Sequence, residues 1–418
     1  MTQLNDDCFA FDNKLTLFSD ALAEIDKRLR TVVGKERVSL NQAINRVLAE
    51  EVVSPRNVPP HNNSAVDGYA VRYKDLNKTK NTRLRVAGRV AAGDVPINTV
   101  KPKEAFRIFT GAPVPKSLDT IFMQEDCKLD GNHIALPPGI KRYANYRFAG
   151  EDLTKNSTVA STGTLLRPQE IGLAASIGRR KLEVFRPLKV AIFSTGKEIC
   201  DPYQEISDSS VFDANRFSIY GLLQNLGATV TDMGILPDNQ KTICASLGQA
   251  AKKNDLLITS GGVSTGEEDH VKKAVESIGD INFWRLAIKP GRPITLGQVN
   301  KSAFIGLPGN PVAAMVTFML IARPIILKMS GRASEAPPRH KIIADFDYKK
   351  KLGRREWVRV RLSQEENMPI IGLKPVGSGA GILTSMVNAD GLVELTENST
   401  GITRGDTVNF LSFEDIFR

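Results

Sequence analysis

The sequence predicts a multidomain α/β protein whose largest unit is a doubly wound, mostly parallel sheet. At 418 residues the chain is too long for one compact core. Strand-like and helical runs alternate between Leu188 and Ser330, which is the pattern of a parallel sheet with helices on both faces. Short β-type runs broken by Gly, Pro and Asp occur on both sides of that stretch and predict two small β domains.

The first half of the chain predicts an elongated helical and linking domain, residues 1–54 and 145–180, that carries an inserted small β domain, residues 55–144. A long amphipathic helix opens it, with apolar residues at helical spacing at Leu15, Phe18, Leu22, Ile25 and Leu29. Ser39 to Glu50 has a capping-box start and predicts a second helix. Ser54 to Val71 is rich in Pro and Asn and predicts no regular element.

One further helix and the β runs complete this half. β-type runs fill Arg83 to Leu136, and Thr164 to Gly178 predicts a helix with Pro168 at its start and Gly178 at its end. Because the inserted β domain leaves the N-terminal helices little core of their own, their apolar stripes predict an obligate dimer.

The second half predicts the α/β domain at residues 181–330 and a C-terminal β domain at residues 331–418. Five strand-like runs stand out, "KVAIFST", "ATVTDMG", "DLLITS", "INFWRLAI" and "SAFIGLP". We expect no apolar run to reach the roughly 20 residues that cross a bilayer. The N-terminus has no signal pattern, so we expect a cytoplasmic protein without a membrane partner.

Charge and cysteine content narrow the function. The formal net charge is +10, but aromatic residues make up only 6% and do not alternate with basic ones, which argues against nucleic acid and favours a small anionic substrate. The four cysteines form no CxxC pair, and the four histidines are scattered. This pattern argues against a disulfide framework or a zinc site.

Three loops follow predicted parallel strands and therefore meet at one edge of the sheet. They are "STGKE" (Ser194 to Glu198), "SGGVSTGEED" (Ser260 to Asp269) and "GLPGNP" (Gly306 to Pro311). Bare glycine backbone beside hydroxyl groups suits an anion. The candidate substrate-binding residues of these loops are Ser194, Thr195, Gly196, Ser260, Gly261, Gly262, Ser264, Pro308, Gly309, Asn310 and Pro311.

Acids and cations near the same edge add to the candidate site. Glu198, Asp238 and Asp269 offer hard oxygen ligands for Mg²⁺, although acids here also cap helices, which is an even alternative for Glu267 and Glu268. Arg285, Lys289 and Arg292 surround a Pro290–Gly291 turn and suit an oxyanion. The chain has neither the P-loop pattern nor the GxGxxG dinucleotide fingerprint.

Nine motifs follow one another over nearly the whole chain: "PPHNNSAVDGYAV", "RIFTGAPVP", "FMQED", "RFAGED", "STGKE", "SGGVSTGEED", "KPGRP", "GLPGNPVAA" and "GSGAGILTSM". In this order they resemble the molybdopterin molybdenumtransferase family, the MoeA and gephyrin E-domain type. The resemblance implies a molybdopterin-binding α/β domain, a C-terminal β-barrel-like domain and a homodimer. It implies insertion of molybdate into adenylylated molybdopterin with Mg²⁺, releasing AMP, and allows the molybdopterin adenylyltransferase as a partner.

Carried over motif by motif, the resemblance also assigns residues. Asp67 and Thr110 would enter the partner's cleft from N-terminal loops, with Asp152 from the joining segment. Glu198, Asp238 and Asp269 would be the catalytic and metal-binding acids of the α/β domain, and Ser385 and Arg355 would come from the C-terminal domain.

Three departures from the family pattern stand out: Val66 replaces Met, Lys197 replaces an acid or Asn, and Arg292 replaces Lys. Two other functions remain open, a molybdopterin adenylyltransferase-like enzyme and a non-catalytic, gephyrin-like scaffold that binds peptides at the dimer cleft. The first needs neither the N-terminal motifs nor the C-terminal domain, and the retained acids argue against the second.

Overall fold

The structure is a computed structural model. It describes residues 15–95, 97, 99–262, 270–333, 336–364, 369–374 and 379–416. Ser264 and Asp269, two of the candidate site residues, lie outside the described residues.

The N-terminal helix, Phe18–Arg28, corrects one expectation from the sequence. Its apolar stripe is already covered within the same chain, because Phe18, Ala21 and Ile25 belong to the core of the α/β domain. The Phe18 ring also meets Trp357 of the C-terminal domain edge to face, with centroids 4.9 Å apart. The stripe therefore gives no support for an obligate dimer.

The second predicted helix is much shorter than expected. It spans only Leu40–Ala43, because Ile44 leaves the helix (φ -57°, ψ 134°) and Asn45 then turns the chain with a left-handed backbone (φ 61°). The preceding strand Lys35–Ser39 pairs with Lys181–Phe185 and holds the linking domain together. Its third helix, Pro168–Ser176, starts at Pro168 as expected and is followed by Gly178 at φ 85°.

The inserted β domain is a six-stranded sheet. In spatial order its strands are Thr120–Met123, Gly68–Val71, Glu104–Ile108, Thr82–Val90, His133–Leu136 and Lys128–Asp130. The second of these corrects the expectation that Ser54 to Val71 lacks regular structure. Gly68–Val71 is buried along its whole length and pairs on both sides, so burial of its apolar residues overrides the loop-like composition before it.

The α/β domain confirms the predicted fold class. Its sheet has the order Thr229–Leu236, Lys189–Thr195, Leu256–Ser260, Ser302–Leu307, Pro293–Val299 and Gly279–Arg285. The first four strands run parallel to one another. Pro293–Val299 runs antiparallel to both of its neighbours, Ser302–Leu307 and Gly279–Arg285. The strand Pro293–Val299 was not predicted, because the Pro-Gly turn before it concealed its start.

Helices cover both faces of this sheet, as predicted. One face packs against Ala214–Asn225 and Pro311–Met329, the other against Gln240–Ala250 and His270–Ile278. The 19 residues of Pro311–Met329 are apolar and long enough to cross a membrane by length and composition, which corrects the expectation from the sequence. However, 83% of their most apolar window is buried inside the protein, so they form a core helix.

The C-terminal domain is a closed five-stranded barrel. Its strands are His340–Ala344, Arg355–Ser363, Ile371–Leu373, Gly391–Leu395 and Thr407–Ser412, and pairing of Arg355–Ser363 with Gly391–Leu395 closes it. The short strand Ile288–Lys289 of the α/β domain adds to Arg355–Ser363 in parallel, with Lys289 opposite Glu356. This pairing fixes the barrel beside the carboxyl ends of the central sheet.

Candidate active site

The three glycine-containing loops open into one cavity of about 550 Å³, here called the cleft. Each loop contributes to its wall, through Glu198, through Gly261 with Gly262, and through Pro308 to Asn310. They meet because Thr195, Ser260 and Leu307 are the last residues of neighbouring parallel strands. The C-terminal barrel forms the opposite wall. Its lining residues are Tyr348, Trp357, Val358, Arg359, Lys374 and Ala380.

The turn at Pro290 and Gly291 sets two cations, Lys289 and Arg292, on the cleft wall. Gly291 has φ 90°, and a Cβ there would lie 2.0 Å from the Thr317 hydroxyl oxygen. Only glycine therefore allows the turn to press against the helix that starts at Pro311. The packing of this turn thus sets the backbone positions from which both cations extend.

Lys289 belongs to a hydrogen-bonded group with two barrel residues. Its ammonium donates to Tyr348 (3.3 Å) and to the Glu356 carboxylate (3.2 Å), and Tyr348 donates to the same carboxylate (2.7 Å). Burial opposes the charge of Lys289, but the bonds to Tyr348 and Glu356 outweigh it and raise the pKa of Lys289. The ammonium is thus held charged and in place at the cleft.

Arg359, on the barrel wall of the cleft, is by contrast a cation without such partners. Its side chain is 6% exposed, and its Nε is buried without a hydrogen-bond partner among the described residues. The guanidinium makes one long bond, to the Gly379 carbonyl at 3.5 Å, and burial lowers the pKa of Arg359. A buried cation whose hydrogen-bonding capacity is unused is unfavourable until an anion binds it. Sequence reasoning missed this residue.

Asn215, also missed, ties the glycine loops together. Its amide donates to the Ser260 hydroxyl and to the Gly309 carbonyl, both at 2.7 Å. Ser260 in turn donates to the Pro308 carbonyl at 3.0 Å. The first turn of the helix Ala214–Asn225 therefore holds two of the three loops at a fixed separation.

The segment that follows Glu198 is anchored by a single buried arginine. Arg216, 5% exposed, forms ion pairs with Asp201 (2.5 Å), Asp213 (2.9 Å) and Asp232 (2.5 Å). Asp201 and Asp213 flank the pair of short strands Ile199–Cys200 and Val211–Phe212. Arg216 thereby fixes this pair of short parallel strands, which begins next to Glu198.

The candidate metal ligands are only partly described. The Thr195 hydroxyl donates to Asp238 at 3.4 Å, which places Asp238 at the edge where Glu198 lines the cleft. A Cβ at Gly196 would lie 2.8 Å from a Glu198 carboxylate oxygen, so the glycine allows that carboxylate to fold back over the turn. Within the described part of the chain, no three Asp, Glu, His or Cys side chains form a group that could hold a metal.

The N-terminal candidates form a separate feature, here called the acid ridge: Asp67, Thr110 and Asp152. Asp67 accepts hydrogen bonds from the Thr110 amide and hydroxyl, both at 2.8 Å, and these lower the pKa of Asp67. Asp152 is exposed, and its amide donates to the Val58 carbonyl at 3.0 Å. No residue of the acid ridge lines the cleft.

Nine further candidates do not line the cleft either: Ser194, Thr195, Gly196, Asp238, Ser260, Arg285, Pro311, Arg355 and Ser385. Arg285 is exposed at the end of its strand. Arg355 forms ion pairs with Glu394 and Glu397, both at 3.0 Å. Ser385 is 1% exposed, and its hydroxyl donates to the Ile382 carbonyl at 2.6 Å.

Comparison with known proteins assigns the family. A molybdopterin molybdenumtransferase of Haemophilus influenzae is 37% identical over 385 residues, which are 91% of this chain and 94% of the relative. This chain belongs to the molybdopterin molybdenumtransferase family. Another member, from Bacillus subtilis, is 30% identical over 389 residues, or 90% of this chain and 89% of that relative. The chain is accordingly a transferase of molybdenum cofactor biosynthesis.

Family models match in chain order. The MoeA N-terminal region (domain I and II) matches residues 16–178, a probable molybdopterin binding domain matches residues 191–328, and the MoeA C-terminal region (domain IV) matches residues 341–413. The crystal structure of a molybdopterin biosynthesis MoeA protein from Pyrococcus horikoshii OT3 is similar, with a TM-score of 0.81 and 29% identity. The match covers 96% of this chain and all of that one.

The three departures from the pattern of the molybdenumtransferase family have different surroundings. Arg292 lines the cleft, so the exchange from Lys changes the cation that an oxyanion would meet. Lys197 is exposed beside Glu198, at the strand end. Val66 packs against the apolar core of the inserted β domain.

Proposed function

We propose that this transferase inserts molybdate into adenylylated molybdopterin with the help of Mg²⁺, releasing AMP and forming molybdenum-molybdopterin. The observation that carries the proposal is Arg359, a buried cation with unused hydrogen-bonding capacity that faces the glycine loops across the cleft. Lys289 and Arg292 add two positive charges to the same wall. Such a site suits an oxyanion next to a phosphate-bearing substrate.

The residues of the cleft suit a reaction that depends on positioning and charge neutralisation. Cleavage of a phosphoanhydride link needs stabilisation of developing negative charge more than it needs a covalent nucleophile. The ammonium of Lys289 and the guanidinium groups of Arg292 and Arg359 supply that charge, and the glycine loops allow close approach of the backbone.

Mg²⁺ would be held by Glu198 and Asp238, with Asp269 as the third acid. The donor set fits, since carboxylate and hydroxyl oxygens are the ligands that Mg²⁺ prefers, and the Thr195 hydroxyl lies beside Asp238. The glycine at position 196, where a Cβ would crowd the Glu198 carboxylate, keeps those oxygens accessible. When bound, Mg²⁺ neutralises charge on the phosphate oxygens.

A homodimer would complete the site. The acid ridge lines no part of the cleft in its own chain, although its residues belong to motifs of the family. A two-fold dimer can bring such a ridge to the cleft of the partner, because each chain then presents the same surface to the other. An adenylyltransferase would supply the activated substrate.

The test is AMP release. Purified protein is given adenylylated molybdopterin and Mg²⁺, with molybdate or tungstate added last, and AMP is measured. We expect oxyanion-dependent release that is lost in Glu198→Gln. ATP-dependent formation of adenylylated molybdopterin would indicate an adenylyltransferase instead, and peptide binding without AMP release would indicate a scaffold.

A further inference from the structure

A second cavity, of about 990 Å³, shares no lining residue with the cleft. It lies where three parts of the chain meet. The linking domain contributes Asn45 and residues 163–167, and the α/β domain contributes the end of the helix Ala214–Asn225. The third wall is the segment at residues 336–338 that leads into the barrel.

One wall of this second cavity carries a buried arginine, Arg323, that is 4% exposed. Its Nε is buried without a partner, and the described residues offer its guanidinium no hydrogen bond or ion pair. Burial, together with the nearby charge of Arg332, lowers the pKa of Arg323 to about 10. A buried guanidinium without an acceptor is among the more costly features that a fold can contain.

The other polar groups that line the second cavity are mainly donors or neutral amides. Arg332 lines the same cavity, as do the amide side chains of Asn45, Gln169, Gln224 and Asn225. Asp415 is the only acid among the described lining residues, and its carboxylate lies 2.7 Å from His340 Nε2. Among the described lining residues of the second cavity, basic side chains therefore outnumber acidic ones.

The backbone before Arg323 is also unusual. Residues Phe318–Ala322 form a π-helical turn inside the core helix, and the regular helix resumes at Arg323. A π turn widens a helix by one residue and is found preferentially at functional sites. It changes the direction in which the residues after the turn project, here those that follow Ala322.

We propose that the second cavity binds a small tetrahedral oxyanion of the phosphate type, with Arg323 as the main ligand and Arg332 as a supporting charge. Free inorganic phosphate and the phosphate group of a mononucleotide share this chemistry. A bound dianion would offer Arg323 the acceptor that the described residues do not supply, and it would join the linking, α/β and C-terminal parts around one charge.

Thermal unfolding of the full-length protein under titration with inorganic phosphate tests the proposal. Arg323→Met keeps a side chain of similar length without the charge, and Arg83→Met is the control, since Arg83 lies on the surface of the inserted β domain, paired with Asp130. All variants also carry Arg359→Met, so that binding in the cleft does not contribute. A parallel titration uses AMP.

Without phosphate, we expect Arg323→Met to unfold at the same temperature as its parent or higher, because an unpaired buried charge has been removed. Phosphate should raise the midpoint of the parent and of the Arg83→Met control in a saturable way. Arg323→Met should bind phosphate about 10- to 100-fold more weakly, the loss of one charge-assisted contact.

Equal phosphate-induced shifts in the parent and in Arg323→Met would overturn the proposal, since phosphate also stabilises proteins non-specifically. So would a clear loss of stability in Arg323→Met without phosphate, which would mean that the chain itself satisfies Arg323. A saturable shift with AMP that competes with phosphate would identify the mononucleotide as the ligand, and a shift with phosphate alone would identify the free anion.

Discussion

The cleft and the acid ridge carry the charges that the sequence singles out, and they hold them in different ways. In the cleft, Arg359 is buried with an unused Nε, and Lys289 stands on the wall with its charge secured by Glu356. On the acid ridge, Asp67 already accepts two hydrogen bonds from Thr110 and does not line the cleft of its own chain.

The difference indicates what each region lacks. In the cleft, the described residues offer no anion to Arg359, so a small anionic ligand can complete the site. The acid ridge is rigid before any ligand arrives. Backbone hydrogen bonds join the loops at Asn62 and Ser64 to those at Gly111 and Val114, while Ala65 is bonded to Asn145. Such a preformed surface suits docking against a partner chain.

The largest expected effect comes from separating the two regions in a mixed dimer. Asp67→Ala and Glu198→Ala should each reduce AMP release to background as homodimers. If Asp67 acts in the partner's cleft, a mixed dimer has one cleft with both lesions and one with neither. About half of the activity of an unmodified dimer should then return.

Chain exchange has to be confirmed, for example with two affinity tags, before the mixture is assayed. An exchanged mixture with no recovery would mean that Asp67 works within its own protomer. Light scattering that shows a monomer at micromolar concentration would remove the basis of the experiment and of the proposed dimer.

Arg359 tests the cleft directly. Replacing it by Met removes the unpaired cation, and we expect molybdate-dependent AMP release to fall about 100-fold, as when one preorganised charge at a reacting centre is lost. Arg361→Met on the same strand is the matched control, because Arg361 is exposed. A similar loss in both variants would point to damage of the barrel and not to a role in the cleft.

The sequence located one wall of the cleft and not the other, for a physical reason. The glycines at positions 261, 291 and 309 predict turns from the sequence, because glycine lets the backbone come closer to neighbouring atoms than other residues do. Arg359 lies in a run, "EWVRVRL", that reads as an ordinary strand. Only the pairing of Ile288–Lys289 with that strand brings it to the cleft, and such a contact between distant segments leaves no local signal.

Local signals failed in two other places. The capping pattern at Ser39 does start a helix, and the Ser39 amide donates to Gln42 at 3.3 Å, but Asn45 turns the chain away after Ala43. In the sequence, Asn215 has no feature that distinguishes it from other polar residues of a helix. Its bonds to Ser260 and Gly309 depend on the sheet order, which composition does not reveal.

A smaller effect, on pH dependence, tests how the charge of Lys289 is secured. Glu356→Gln removes the carboxylate that keeps the ammonium charged, while burial remains and lowers the pKa of Lys289. The charged form exists below that pKa and is lost as the pH rises through it. The alkaline limb of the rate profile should therefore move to lower pH, with about a tenfold loss of rate above the new pKa.

Glu394→Gln is the matched control for this experiment. Glu394 is another buried carboxylate of the barrel, 8% exposed and ion-paired with Arg339 and Arg355, but it does not line the cleft. It should lower thermal stability and leave the alkaline limb where it is. An unchanged limb in Glu356→Gln would show that Lys289 keeps its charge by other means.

The smallest expected effect concerns Asn215, a positioning residue that holds the glycine loops without lining the cleft. Asn215→Leu removes both donated bonds, and at about 1 kcal/mol for each we expect the free energy of unfolding to fall by about 2 kcal/mol. With two loops less well fixed, KM for adenylylated molybdopterin should rise several-fold, by about 1 kcal/mol of binding free energy, while kcat changes less.

Ser218→Ala on the same helix is the control, because its hydroxyl donates only to the Ala214 carbonyl of its own helix. If Asn215→Leu lowers the free energy of unfolding by the expected amount but leaves KM unchanged, Asn215 is a purely structural residue. The shape of the cleft would then depend on the strand ends alone.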